Sequence, residues 1–231
     1  MKIYPLYYIM NSLYNIIFKS SGKGTKNVFE LMILKKEFLA LVFLNLLLQL
    51  GITYIVMERT TDAKKKYNYW LLFGSTIGII ILLHFPIHPI FKFLLFSVFS
   101  YIFGLLLSVT KEKYNEKEIR IAIESALSVF GAMFLTALGL LMGGIKLGYR
   151  FGFFLFFSLL ALIILRLVNY FSDVGIGSLL NSVGILLFSL YILYHTHVIL
   201  QKDYSGDFVN ASMSYYLDII NLFSNFLNSE E

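Results

Sequence analysis

"YHTHVILQKDYSGDFVNASMSYYLDIINLF", residues Tyr194 to Phe223, sets two histidines and three aspartates between two strongly apolar runs. Within it Asp218 follows "SYYL" and precedes "IINLF", so a carboxylate stands in the middle of a helix-length apolar pattern. On a helix Ser214, Asp218, Asn221 and Asn225 recur at offsets of four, three and four and share one face. A face of that kind cannot point at hydrocarbon, because a carboxylate at the centre of a lipid-exposed helix costs at least about 2.5 kcal/mol. The stretch therefore reads as the end of one helix, a wet loop "QKDYSGD", and a last helix lining a polar interior.

The rest of the chain is made for lipid. Of its 231 residues 58% are hydrophobic and 17% aromatic, mean hydropathy is +0.75, and only 14% are charged, where soluble domains carry about 25%. Runs between charged or turn-rich breaks predict seven helices: Phe38 to Met57, Tyr69 to Leu83, Ile87 to Val109, Ile119 to Met142, Leu147 to Phe171, Gly175 to Leu200 and Met213 to Leu227. The expected fold is an all-α integral membrane protein, a seven-transmembrane-helix bundle whose last helix is short, polar and central. Residues 1–37 are expected to form an N-terminal cytoplasmic or interfacial segment, and residues 38–231 the membrane domain. The first 18 residues have no small-residue cleavage site after them and fit an interfacial aromatic segment better than a signal peptide.

Charge and cysteine usage narrow the classes. The chain has no cysteine, so neither disulfides nor cysteine metal sites are available. The net charge of +5 is scattered over short loops, which gives nucleic-acid binding no support. Ten Lys/Arg fall on the side of the N terminus and eight on the other, with Arg166 inside a helix, so the bias favours a cytoplasmic N terminus. Glycines four apart, at Gly74/Gly78, Gly139/Gly143 and Gly144/Gly148/Gly152, are expected to let helices approach closely.

Other polar stripes accompany the last helix. Asn45, Gln49 and Thr53 lie on the first, Glu124 and Ser128 on the fourth, and Ser182, Ser189 and Thr196 on the sixth. Glu124 is a second candidate carboxylate, although its place in an early helical turn also suits the helix dipole. Arg166 is expected to snorkel or to pair with Asp173. His195, about four residues before the end of the sixth helix, and Asp218, about five into the seventh, have matching depths in an antiparallel hairpin, so they can face each other. Such a pair would titrate as a unit and could act as a proton-sensitive latch. His197, two residues on, is expected on another face, toward solvent.

Residues Tyr194 to Phe223 resemble the C-terminal signature of the transmembrane Bax inhibitor motif family, in which a YDTQ-like end of the sixth helix precedes a polar loop and a final "YLDIINLF" helix. "EFLALVFLNLLLQLGIT" resembles that family's first helix, and "SALSVFGAMFLTALGLLMGGIK" its fourth. The resemblance implies a pH-sensitive calcium leak channel that modulates cell death, in an endoplasmic reticulum or Golgi-type membrane if eukaryotic or viral and in the plasma membrane if bacterial. It implies no enzymatic activity and no cofactor beyond Ca²⁺ as the permeant ion. Its partners would be the bilayer, Ca²⁺ and other membrane proteins of cell-death regulation. In the family two aspartates, one from YDTQ and one from the last helix, share a proton and govern closure. Asp218 matches the second, whereas the first position here is His195. Candidate ion-pathway and pH-sensing residues are thus Asp218, His195, Glu124 and Asn221.

Two other classes compete. His84 and His88, with His195 and Asp218, offer four ligands to a zinc ion, as in seven-helix intramembrane hydrolases, although Pro86 breaks their helical spacing and no HExxH is present. A non-conducting membrane regulator acting through partner helices is the third.

Overall fold

The computed structural model of the protein describes residues 28–61, 68–111, 113–172 and 175–229. Within them eight helices follow one another: α1 (Val28–Leu34), α2 (Lys36–Arg59), α3 (Tyr69–Leu83), α4 (Pro89–Lys111), α5 (Glu116–Met142), α6 (Tyr149–Ser172), α7 (Gly177–Gln201) and α8 (Phe208–Leu227). Each of the seven expected helices is present, as α2 to α8. Of the N-terminal segment, residues 1–27 lie outside the described residues. Five helices, α2, α4, α5, α6 and α7, are long and apolar enough to cross a membrane; at 1.5 Å per residue, 24 residues reach about 36 Å against a hydrocarbon core of about 30 Å. α3 is apolar but has 15 residues.

Local chemistry sets the helix ends. Asn68 accepts hydrogen bonds from the N–H groups of Trp70 and Leu71 and starts α3. Asn115 and Glu118 form a reciprocal capping box before α5. That helix closes with Ile145 N–H on the Leu140 carbonyl and Gly144 N–H on Leu141, and Gly144 takes a φ of +78° that only glycine adopts cheaply. Pro89 opens α4 at the one helical position where a missing N–H costs nothing.

The last helix was expected to be short, from Met213. It starts at Phe208 and has 20 residues. The reason is Asp207, whose carboxylate accepts the backbone N–H of Asn210 at 3.1 Å and the Asn210 side-chain amide at 2.7 Å, capping an extra turn. The sequence "SGDFVN" is polar enough to read as loop, and the cap converts it to helix.

The chain divides into two compact units. One comprises residues 36–123 and 203–217, the other residues 124–202 and 218–231 together with the segment before Lys36. In the first, α2 and α4 touch closely at Gly104, where a methyl group would meet Val56 Cβ at 2.7 Å and the Thr53 carbonyl at 2.8 Å. Phe96 and Phe99 close edge-on against the ring of Tyr216. Lys92 pairs with Asp207 at 2.5 Å and Lys111 with Glu58 at 2.7 Å, at opposite ends of α4. In the second unit Ala137, Leu147, Phe151, Leu155, Leu162, Leu180, Leu187 and Leu193 form the core. Lys35 donates to the carbonyls of Ile199 and Lys202 at the C-terminal end of α7, where the helix dipole favours a cation.

Packing glycines are not the ones the four-residue repeats pointed to. A Cβ at Gly74, Gly78, Gly139, Gly144 or Gly148 would meet open space, and at Gly143 only its own helix at ordinary distance. Close approach occurs instead at Gly104, Gly152 and Gly184, of which only Gly152 was among the repeats. Glycine matters where a bulky neighbour presses in, and spacing alone does not show that. Outside, the surface is apolar: Phe153, Phe157, Ile164, Leu167, Tyr170 and Phe171 of α6 are all exposed, a surface suited to hydrocarbon and not to water.

Candidate functional site

No residue of α8 is exposed, and its burial is graded by face. Asn210, Ser214, Leu217, Asn221 and Ser224, spaced by four, three, four and three, are half-buried, while Val209, Ser212, Met213, Tyr216, Ile220 and Phe223 are buried. The more open face of this helix is thus its polar one. Asp218 and Asn225 lie beside that face and are buried, at 3% and 2% exposure.

Asp218 meets His195 of α7. His195 Nδ1 lies 2.7 Å from Asp218 Oδ2, with the histidine side chain 22% and the carboxylate side chain 4% exposed. The imidazole stands between two tyrosine rings of its own helix, Tyr191 at 5.5 Å and Tyr194 at 5.9 Å between centroids. Tyr194 is held in turn by α6: a methyl group at Gly152 would sit 2.3 Å from its hydroxyl. The α7–α8 hairpin thus brings His195 and Asp218 together at matching depth, with the aromatic flank added by tertiary packing. An aspartate accepting from an imidazole has its charge partly neutralised, which is how a carboxylate is retained inside apolar surroundings. Such a pair can hold or release one proton and, when the histidine is neutral, present one negative charge to a cation.

The remaining candidates are placed differently. Glu124, on α5, is exposed, and Ser128 donates to its backbone carbonyl; neither residue joins the buried pair. Asn221 is half-buried one turn beyond Asp218, and its carbonyl accepts the Asn225 amide at 2.6 Å. The stripe on α7 turns inward on its own backbone, since Ser182, Ser189 and Thr196 each donate to the carbonyl four residues earlier. His197 was expected toward solvent and is fully buried, with Nδ1 2.8 Å from the Leu193 carbonyl and Nε2 3.3 Å from that of Ile145. A two-residue offset turns a helical side chain by about 200°, and on a helix enclosed on several sides that rotation leads into protein as readily as into water.

The stripe on α2 builds a separate neutral network in the other unit. Asn45 donates to Ser212 at 2.6 Å, Gln49 to Asn45 and to Ser97 at 3.1 Å each, and Thr53 lies 2.6 Å from the Tyr216 hydroxyl. The three α2 residues were legible in the sequence; in "ASMSYYL" Tyr216 looks like apolar filler, and Ser212 stands off the Ser214 and Asp218 stripe. Arg166 Nη2 donates to the side-chain oxygens of Asn181, at 3.3 Å, and of Asn225. The expected partner Asp173 lies outside the described residues.

A zinc site would need His84 and His88 beside the buried pair. His84 Nδ1 lies 2.8 Å from the Ile80 carbonyl, and His88 Nδ1 accepts the N–H of Ile90, so each is engaged by its own turn. Among the described residues no group of three or more His, Asp or Glu side chains is arranged to hold a metal ion.

Comparison with known proteins meets this geometry from outside. The sequence model of the family described as "Inhibitor of apoptosis-promoting Bax1" matches residues 35–229. The chain is 28% identical over 149 residues to Protein LIFEGUARD 1 of Arabidopsis thaliana, covering 61% of this chain and 60% of that protein. It is 40% identical over 76 residues to Bax inhibitor 1 of Schizosaccharomyces pombe, covering 32% and 29%, and 35% identical over 112 residues to an uncharacterized membrane protein of Vibrio cholerae, covering 47% and 48%. In each case the matched region falls short of two thirds of the relative's length.

Proposed function

The chain belongs to the family of inhibitors of apoptosis-promoting Bax1, and on that premise we propose that this multi-pass membrane protein is a calcium leak channel whose opening is set by protonation of the His195 and Asp218 pair. The observation that carries the reading is the 2.7 Å contact between His195 Nδ1 and the buried Asp218 carboxylate. In this reading α2 to α8 all span the membrane, α8 lies centrally, and its half-buried polar face, including Ser214 and Asn221, is wetted. Calcium takes carboxylate and amide oxygens as ligands, and Asp218 with Asn221 supplies both kinds.

The sign of the pH response follows from charge. With the imidazole neutral the pair carries a net charge of −1 and draws a divalent cation. A proton taken up in acid turns it into an imidazolium–carboxylate pair of zero net charge, which holds α7 to α8 and no longer attracts the ion. Acid therefore closes the leak. A single carboxylate beside an imidazole also binds calcium more weakly than two carboxylates would. By the same reading the protein is not an enzyme, tunes calcium stored behind an endoplasmic reticulum, Golgi-type or bacterial plasma membrane, and thereby restrains cell death where cell-death partners are present.

The test is calcium efflux from liposomes holding the purified full-length protein at neutral pH. Asp218→Asn removes the one negative charge; a unit charge 4 Å from a divalent ion is worth about 8 kcal/mol at an effective dielectric constant near 20, so efflux is expected to fall at least about tenfold. Efflux equal to that of the unaltered protein would leave the reading without its ion site.

A further inference from the structure

Arg166 carries a charge for which the described residues provide no counter-charge. It lies within the apolar α6, is half-buried, and both of its hydrogen bonds leave from Nη2 to neutral amide oxygens, those of Asn181 and Asn225. Its Nε is buried and has no hydrogen-bond partner among the described residues. A guanidinium in hydrocarbon without an anion is costly, and two amide oxygens solvate it without neutralising it.

The surroundings are built rather than incidental. Asn181 is fixed by donating to the Asn228 carbonyl at 2.7 Å, and Asn225 by donating to that of Asn221 at 2.6 Å. Gly184 makes room for Asn225: a methyl group there would lie 2.1 Å from Asn225 Oδ1, the oxygen that accepts from Arg166. Three helices thus contribute to holding one guanidinium in a fixed orientation.

Depth says what can reach the guanidinium. Tyr170 and Phe171, 79% and 80% exposed near the end of α6, have the character of an interfacial aromatic belt. Arg166 is four residues earlier, about 6 Å deeper, which an arginine side chain spans. Its partners also stand near helix ends, Asn181 in the second turn of α7 and Asn225 in the last turn of α8. Around it on α6, Ile163, Ile164, Leu167 and Val168 are exposed and apolar. A ligand reaching Arg166 past these side chains has acyl chains of its own.

We propose that Arg166, oriented by Asn181 and Asn225, is a binding site for the phosphate of an anionic lipid headgroup where α6 ends, α7 begins and α8 ends. A planar guanidinium matches phosphate oxygens in geometry as well as charge. The occupant would tie α6 and α7 to the C-terminal end of α8, two turns from Asp218. This assignment does not depend on calcium conduction.

Thermal unfolding of the full-length protein in phosphatidylcholine nanodiscs tests it, with increasing phosphatidylglycerol in one arm and inorganic phosphate in another. Phosphatidylglycerol is expected to raise the melting temperature in a saturable way, and Arg166→Gln to weaken its apparent affinity about tenfold, the loss of one charge-assisted contact. Arg166→Lys should recover part of that affinity, and Asp173→Asn should leave it unchanged. If Arg166→Gln does not fold, Asn225→Ala, which keeps the charge and loosens its orientation, should show the same loss in smaller degree. Unaltered phosphatidylglycerol stabilisation in Arg166→Gln, an equal shift with inorganic phosphate alone, or a tenfold tighter lipid affinity in Asp173→Asn would each overturn the site.

Discussion

His197 and His195 are two residues apart on one helix and meet opposite chemistry. His195 has a carboxylate and keeps a partly open edge; His197 is fully buried with two carbonyl oxygens near its ring nitrogens. The first arrangement joins α7 to α8 through a carboxylate, and the second sets α7 against the turn that follows α5. Replacing His197 with Leu removes the one N–H that a neutral imidazole donates between the Leu193 and Ile145 carbonyls, and the expected cost is about 1–3 kcal/mol, read as a lowered melting temperature in detergent with the neutral-pH calcium efflux of the surviving folded protein preserved. Asp207 joins two roles in one carboxylate, capping α8 and answering the nearly buried Lys92. Asp207→Ala is expected to cost about 2 kcal/mol, less than the ~3–5 kcal/mol for breaking a fully buried pair because Asp207 is 24% exposed. Asp207→Asn should retain the cap and lose only part of that stability.

At the scale of the element, α8 depends on what presses against it. Gly184→Ala would push Asn225 off its position and with it the hydrogen bond from Arg166, so the expected cost is about 1–3 kcal/mol, while Gly139→Ala, where the added methyl meets open space, should be neutral or slightly stabilising. Chemical denaturation of the two variants side by side checks the contrast. It also marks how far sequence carries. Apolar runs and turn residues locate all seven of α2 to α8, because length and hydropathy are local properties. The match of depth between His195 and Asp218 is equally local, being set by the length of one hairpin. What stays hidden is which face a neighbour covers: the repeat glycines look like packing sites and, Gly152 apart, are not, Gly184 has no partner four residues away and is one, and Tyr216 reads as apolar filler until Thr53 meets its hydroxyl. The five-residue error at the start of α8 has the same root, since an Asp cap and a polar loop are written in the same residue types.

For the whole molecule, five helices able to cross a membrane and an apolar exterior make it a multi-pass membrane protein of the Bax-inhibitor family. The proposed seven spans and cytoplasmic N terminus put Lys202 and Lys113 on opposite sides. The chain has no cysteine, so Lys202→Cys and Lys113→Cys, each alone, can be labelled in sealed cells with a reagent that does not cross the membrane. Lys113→Cys is expected to react from outside and Lys202→Cys only after the membrane is opened; labelling of both from one side would contradict seven spans.

The central claim is that the His195 and Asp218 pair sets a calcium leak through its proton. The direct measurement is calcium efflux from proteoliposomes between about pH 5 and 8, the range in which histidine changes charge, for the unaltered protein and for His195→Asp. The account predicts that efflux from the unaltered protein falls as the medium is acidified. It predicts that His195→Asp, which replaces the imidazole with a second carboxylate, conducts more calcium at neutral pH and shifts the pH profile. Superimposable profiles of the two proteins, in size and in pH, would contradict it.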